Sequence, residues 1–177
     1  MRFVAACLLM CFAPGVRLAA ETRPVVEVQT FLAANAAHPD SAVRAAVVAR
    51  IAFGYHINSH QPSLDYLIPT KVVFKNTAAL KADRVAYPQG KPQKFDFLDS
   101  PISVYEGEVR VGALLRVSRA LQPGTYQLHG NFAYQACNDH ACLAPAKVPF
   151  EITVRVAPAS VPLKPANAEV FRKINFP

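Results

Sequence analysis

Cys137 and Cys142 are the two cysteines that lie outside the apolar N-terminal segment. They sit in Phe132-Ala133-Tyr134-Gln135-Ala136-Cys137-Asn138-Asp139-His140-Ala141-Cys142-Leu143-Ala144-Pro145. The residues between them are turn formers, apart from Ala141. A β-type run enters this turn and a proline-marked run leaves it. The spacing therefore predicts a hairpin whose flanking cysteines face one another, with Cα atoms about 5–6 Å apart, the separation a disulfide requires. So short a closed loop stabilises a fold by only about 2 kcal/mol in the chain-entropy model. That small gain favours exchange chemistry, in which a thiolate attacks one sulfur and releases the other. Parity points the same way. Cys137 falls with Gln135 and Asn131, opposite Tyr134 and Phe132, so it points outward if the aromatics face the core.

Two rival chemistries use the same residues. The bond is a plain staple if the chain is a binding or adaptor module. Alternatively, Cys137, His140 and Cys142, with Asp139, offer ligands for copper or zinc. His56, His60 and His129 would assist such a site only if folding brought them close. The spacing Cys-x2-His-x-Cys matches no established ligand pattern, so neither a metal nor a cofactor is expected. Hydrolysis has no support, for there is no Gly-x-Ser-x-Gly and no triad. The seven glycines form no phosphate-cradling loop.

The elements that must position the pair read as strands. Residues 25–32 are a modest strand candidate. From residue 41, Val43, Ala45, Val47, Ala49, Ile51, Phe53, Tyr55 and Ile57 share one face at period two, with Arg44, Arg50, His56 and Asn58 on the other. Further strands are expected over residues 67–75, 83–87, 103–117, 125–137 and 147–156. Pro88-Gln89-Gly90-Lys91-Pro92 and Pro123-Gly124 mark turns. Phe95 and Phe97 stand in a loop bounded by charges. About seven or more strands without a convincing helix predict an all-β fold, an immunoglobulin-like antiparallel β-sandwich.

Four segments follow: an export signal over 1–20, a strand and linker over 21–40, the sandwich over 41–156, and a proline-rich flexible tail over 157–177. Arg2, the uncharged run after it and Leu18-Ala19-Ala20 carry the signal reading. Its apolar run is short of the roughly 20 residues needed to span a bilayer. Of the 177 residues, the signal removes Arg2 and Arg17 from a formal charge of +7. The exported chain stays basic and meets acidic partners or anionic envelope surfaces. No lysine/arginine cluster with interleaved aromatics argues for nucleic acid. An oxidising compartment permits the disulfide.

Tyr134-Gln135-Ala136-Cys137 through Cys142-Leu143-Ala144-Pro145 resembles the cysteine motif of the N-terminal periplasmic domain of the thiol:disulfide interchange protein DsbD. Gly54-Tyr55-His56-Ile57-Asn58 through Ile68-Pro69-Thr70, and the turn at Tyr87-Pro88-Gln89-Gly90, are similar to two further family segments. The resemblance spans roughly residues 41–156. It implies a periplasmic sandwich whose Cys137 and Cys142 cycle between dithiol and disulfide. Electrons would come from a thioredoxin-like partner and pass to oxidised periplasmic thiol proteins. It makes Cys142 the sulfur of mixed disulfides, and Phe95 or Phe97 a cap over the pair. Tyr55 and His56 become its neighbours, with Tyr134, Asp139 and His140 from the motif itself. The family protein continues into membrane and thioredoxin-like domains that are not found here, so a separate electron donor is expected. Ala144 replaces a family proline, and the spacing between the cysteines is shorter than in some members.

Overall fold

The computed structural model describes residues 24–95 and 99–176. The expected export signal over 1–20 and Phe97 lie outside them. In chain order the elements are β1 (Val26–Leu32), β2 (Ala42–Ile51), β3 (His56–Asn58), β4 (Lys71–Phe74), β5 (Leu80–Ala86) and β6 (Lys91–Gln93). They continue with β7 (Ile102–Tyr105), β8 (Glu108–Val117), β9 (Gly124–Tyr134), β10 (Ala136–Cys137), β11 (Ala146–Val156) and α1 (Ala168–Phe171).

Alternation builds the two main layers. In β2 and β8 it puts Val43 opposite Leu115, Val47 opposite Val111 and Ala49 opposite Val109 on one face. In β9 and β11 it puts Leu128 opposite Ile152 and Tyr126 opposite Val154. The first sheet runs β1-β2-β8-β5 and the second β11-β9-β4, all pairs antiparallel. Their facing side chains make one core in which Val47, Val111, Leu115, Leu128 and Phe132 are fully buried. Burial of this kind contributes roughly 1.5–3 kcal/mol per large side chain. The fold is the expected immunoglobulin-like antiparallel sandwich.

Three runs that read as single strands are each cut. Residues 41–58 break at Phe53-Gly54, 103–117 at Glu106-Gly107, and 125–137 at Gln135. Gly54 (φ 82°) and Gly107 (φ 64°) take left-handed backbone that side chains with a Cβ resist. Beyond the cuts the strand ends pair with one another in a third sheet, β10-β3-β7-β6. Three positions change as a result. Phe53, expected on the inner face, is fully exposed at the turn. His56 and Asn58, expected on the outer face, are buried, because β3 lies between β10 and β7.

The tail also departs from expectation. Val170, Phe171 and Ile174 project from one side of the short α1 turn and are buried against Ala46 and Val48, on the face of β2 away from the main core. The Asn167 side chain donates to the Leu32 carbonyl at 2.9 Å, and the Arg44 guanidinium lies 5.5 Å from the Phe176 ring centroid. The apolar residues of the tail repeat at helical rather than strand spacing, which is why a search for alternation passes over them.

Gly112 leaves room for this docked end. A Cβ there would lie 2.6 Å from Ile174 Cγ2 and 2.7 Å from Phe176 Cε1. Gly112→Ala should leave the sandwich folded, cost about 1–3 kcal/mol, and speed proteolytic removal of the residues after 157. Limited proteolysis followed by intact mass checks this.

Candidate functional site

Cys137 and Cys142 are bonded, with Cα atoms 3.9 Å apart. This is closer than the expected 5–6 Å, and the hydrogen bonds explain it. The Asn138 amide donates to the Ala141 carbonyl at 3.0 Å, and the Leu143 amide donates to the Ala136 carbonyl at 2.8 Å. The cysteines lie between these bonds, so they form a non-hydrogen-bonded antiparallel pair, the closer kind of facing pair. The loop is held from within by Asn138, whose Oδ1 accepts from the His140 and Ala141 amides at 2.9 Å each. Gln135 Nε2 donates to the Leu143 carbonyl at 3.2 Å across the arms.

The two cysteines stand in unlike surroundings. Cys142 is exposed, whereas Cys137 is 3% exposed. The expectation that Cys137 points outward is therefore corrected. Parity holds only along one continuous strand, but Gln135 interrupts this one, and β10 then joins a different sheet from β9.

In that sheet Cys137 is the register partner of His56. Ile57 in turn pairs with Tyr105, the last residue of β7, and Glu106 follows in the turn, where it lines the same cleft as His56 and acts on its ring. Cys142, Cys137 and His56 thus form one row, and facing residues in such a row share a side of the sheet. His56 is 3% exposed, and the Phe95 ring lies 4.4 Å from it between centroids. Burial holds the His56 pKa below its ordinary 6.5, against the opposing pull of Glu106 and Asp139.

A cleft of about 520 Å³ opens beside the row, lined in part by Phe53, Tyr55, His56, Gln93, Glu106 and Asp139. The structure thus gathers His56, Asp139, Tyr55 and Phe95 around the hairpin. Tyr134 is buried, and its hydroxyl pKa is pushed up by that burial. His140 lies exposed on the loop. Phe95 is buried with Ile102 and Val104 in a small separate cluster. Among the described residues no group of three or more His, Cys, Asp or Glu side chains is placed to hold a metal ion. The sequence reading missed Glu106 and the exposed Phe53. Both precede a glycine inside an alternating run, and an isolated glycine in such a run signals a break.

A family model described as thiol:disulfide interchange protein DsbD, N-terminal, matches residues 23–153. No curated protein matches the chain. Among solved structures, the DsbD N-terminal domain of Neisseria meningitidis in the reduced form is 22% identical, with TM-score 0.43, over 72% of this chain and 85% of that one. The N-terminal periplasmic domain of ScsB from Proteus mirabilis is 14% identical, with TM-score 0.52. That match covers 89% of this chain and 57% of the other, and it shows a shared fold. A structure of the complex between the DsbD and PilB N-terminal domains of Neisseria meningitidis matches at 20% identity and TM-score 0.40, over 70% of this chain and 81% of that one.

The lowered pKa of His56 fixes a stability slope. Below the ordinary value the unfolded chain binds the proton more readily, so stability is full above it and falls as pH drops toward the folded value. Urea titrations of the oxidised protein between about pH 7.5 and 5.5 should show a larger loss for the parent than for His56→Asn, which has no ring to charge.

Proposed function

The chain belongs to the family of DsbD N-terminal domains, and from that premise we propose that it relays electrons between proteins by thiol–disulfide exchange at Cys137 and Cys142. The single observation that best supports this is the asymmetry of the bond, with one cysteine exposed on a hairpin and the other buried behind it. A structural staple needs no such asymmetry. An exchange site benefits from it, because an incoming thiolate reaches only one sulfur.

A donor thiolate attacks Cys142 Sγ. The Cys137–Cys142 bond breaks, Cys142 is joined to the donor, and Cys137 leaves as a thiolate that takes up a proton. The donor's second thiol then displaces Cys142, leaving the donor oxidised and the pair reduced by two electrons. Toward an acceptor the steps reverse. The Cys142 thiolate attacks the acceptor disulfide, and Cys137 resolves the mixed disulfide by attacking Cys142 Sγ. The acceptor leaves as a dithiol. No small-molecule substrate is needed, which agrees with a site built as an open hairpin rather than an enclosed cavity.

The donor in this scheme is a thioredoxin-like protein, and the acceptors are oxidised thiol proteins of the periplasm. The expected export signal and the compartment in which such disulfides persist support that location. Among the described residues, no helix is long and apolar enough to cross a membrane. Phe95, packed on His56, acts as the cover behind the pair.

The order of attack is testable with oxidised glutathione as probe. Cys137→Ser should form a lasting glutathione adduct on Cys142. Cys142→Ser should react at Cys137 at least about tenfold more slowly, because a buried sulfur is shielded. Peptide mass spectrometry reads both sites. Equal rates, or faster reaction at Cys137, would overturn the assignment.

A further inference from the structure

We propose that His56 is the proton acceptor and donor for Cys137 during exchange, with Glu106 beside it as the balancing carboxylate. The inference rests on the exchange reading and assigns it an acid–base residue.

The need arises from burial. Each turnover makes Cys137 a thiolate, as the leaving sulfur in one direction and as the resolving nucleophile in the other. At 3% exposure that anion has little water to solvate it, and an apolar setting raises a thiol's pKa. Something adjacent must accept or return the proton. The ladder places His56 directly across from Cys137, on the side away from Cys142. Facing Cβ atoms in such a pair lie about 4.5–5.5 Å apart, within reach for an imidazole and a thiol. Glu106 lines the same cleft and acts on the His56 ring, so sulfur, imidazole and carboxylate follow one another as nucleophile, base and orienting group do elsewhere.

The other candidates fit less well. His140 is exposed on the loop, on the far side of the bond from the β3 ladder. The Tyr134 hydroxyl is held protonated by burial. The charged groups that act on the His56 ring are Glu106, from the turn after β7, and Asp139, from the hairpin loop. Tyr55 also lines the cleft, through which solvent protons reach the ring. Burial outweighs the two carboxylates, so the resting ring is neutral at neutral pH and ready to accept.

The resolving step balances as follows. The Cys137 proton passes to a His56 ring nitrogen, and the Cys137 thiolate attacks Cys142 Sγ. The bond from Cys142 to the partner breaks, the partner leaves as a thiolate, and His56 returns its proton to that thiolate or to cleft water. The imidazolium formed meanwhile sits between a thiolate and Glu106.

The test follows the Cys142–glutathione adduct after reduced protein is mixed with oxidised glutathione. Samples are quenched in acid between about pH 6 and 9, and each cysteine is read by peptide mass. With the parent protein, resolution should be nearly flat from about pH 7 to 8, because the neutral base is already formed. In His56→Asn and His56→Phe it should be about tenfold slower at pH 7 and should climb roughly tenfold per pH unit, as a lone thiol does below its pKa. Glu106→Gln should keep the plateau and move its acid edge to lower pH. A folded His56 variant with the parent's rate and pH profile would overturn the role while leaving the exchange reading intact. Failure of the reduced parent to form either a Cys142 adduct or the Cys137–Cys142 disulfide with oxidised glutathione would overturn both.

Discussion

The site depends on one short pairing. Two residues of β10 lie against β3, and this places Cys137 between Cys142 and His56. Had β9 simply continued, Cys137 would have followed the parity of the main sheet and pointed to solvent. The pairing exists because three strands leave the sandwich at Gly54, Gly107 and Gln135 and join a sheet of their own. Replacing either glycine would force a Cβ into left-handed backbone and threaten the break that makes the third sheet possible.

Stability and chemistry are thereby divided between parts of the molecule. The long β2–β8 and β9–β11 ladders enclose the apolar core, and the docked C-terminal residues cover the outer face of β2. Against that burial, the roughly 2 kcal/mol expected of so short a disulfide loop is minor. The fold can therefore tolerate the bond being opened and closed. The hairpin loop keeps its shape through Asn138 and Gln135 without calling on the sulfurs, so the reduced and oxidised forms can share one backbone.

Much of this was legible in the sequence. Alternation over β2, β8, β9 and β11 carries the fold class, because a half-buried strand must repeat at period two. The turn residues Asn138 and Asp139 carry the hairpin. What alternation could not show is where a strand changes sheet: the period runs on through Phe53-Gly54 and Glu106-Gly107 while the backbone turns. Errors of side followed. Alternation alone puts Phe53 inside and His56 and Cys137 outside, whereas Phe53 is exposed and the other two are buried. Nothing in the local sequence marks Glu106 as a neighbour of His56, because only the folding of the turn after β7 against β3 brings it near. The docking of the tail is hidden for a different reason, since its buried residues follow helical spacing and have no partner until β2 is in place.

The most direct test of the account is the reduction potential of the Cys137–Cys142 pair. Equilibrating the protein in glutathione buffers, trapping free thiols by alkylation and reading each cysteine by peptide mass gives the midpoint. An exchange module should fall in the range of exchange proteins, roughly −120 to −270 mV. A midpoint well below about −300 mV would identify a structural bond that envelope redox partners do not open, and would contradict the account.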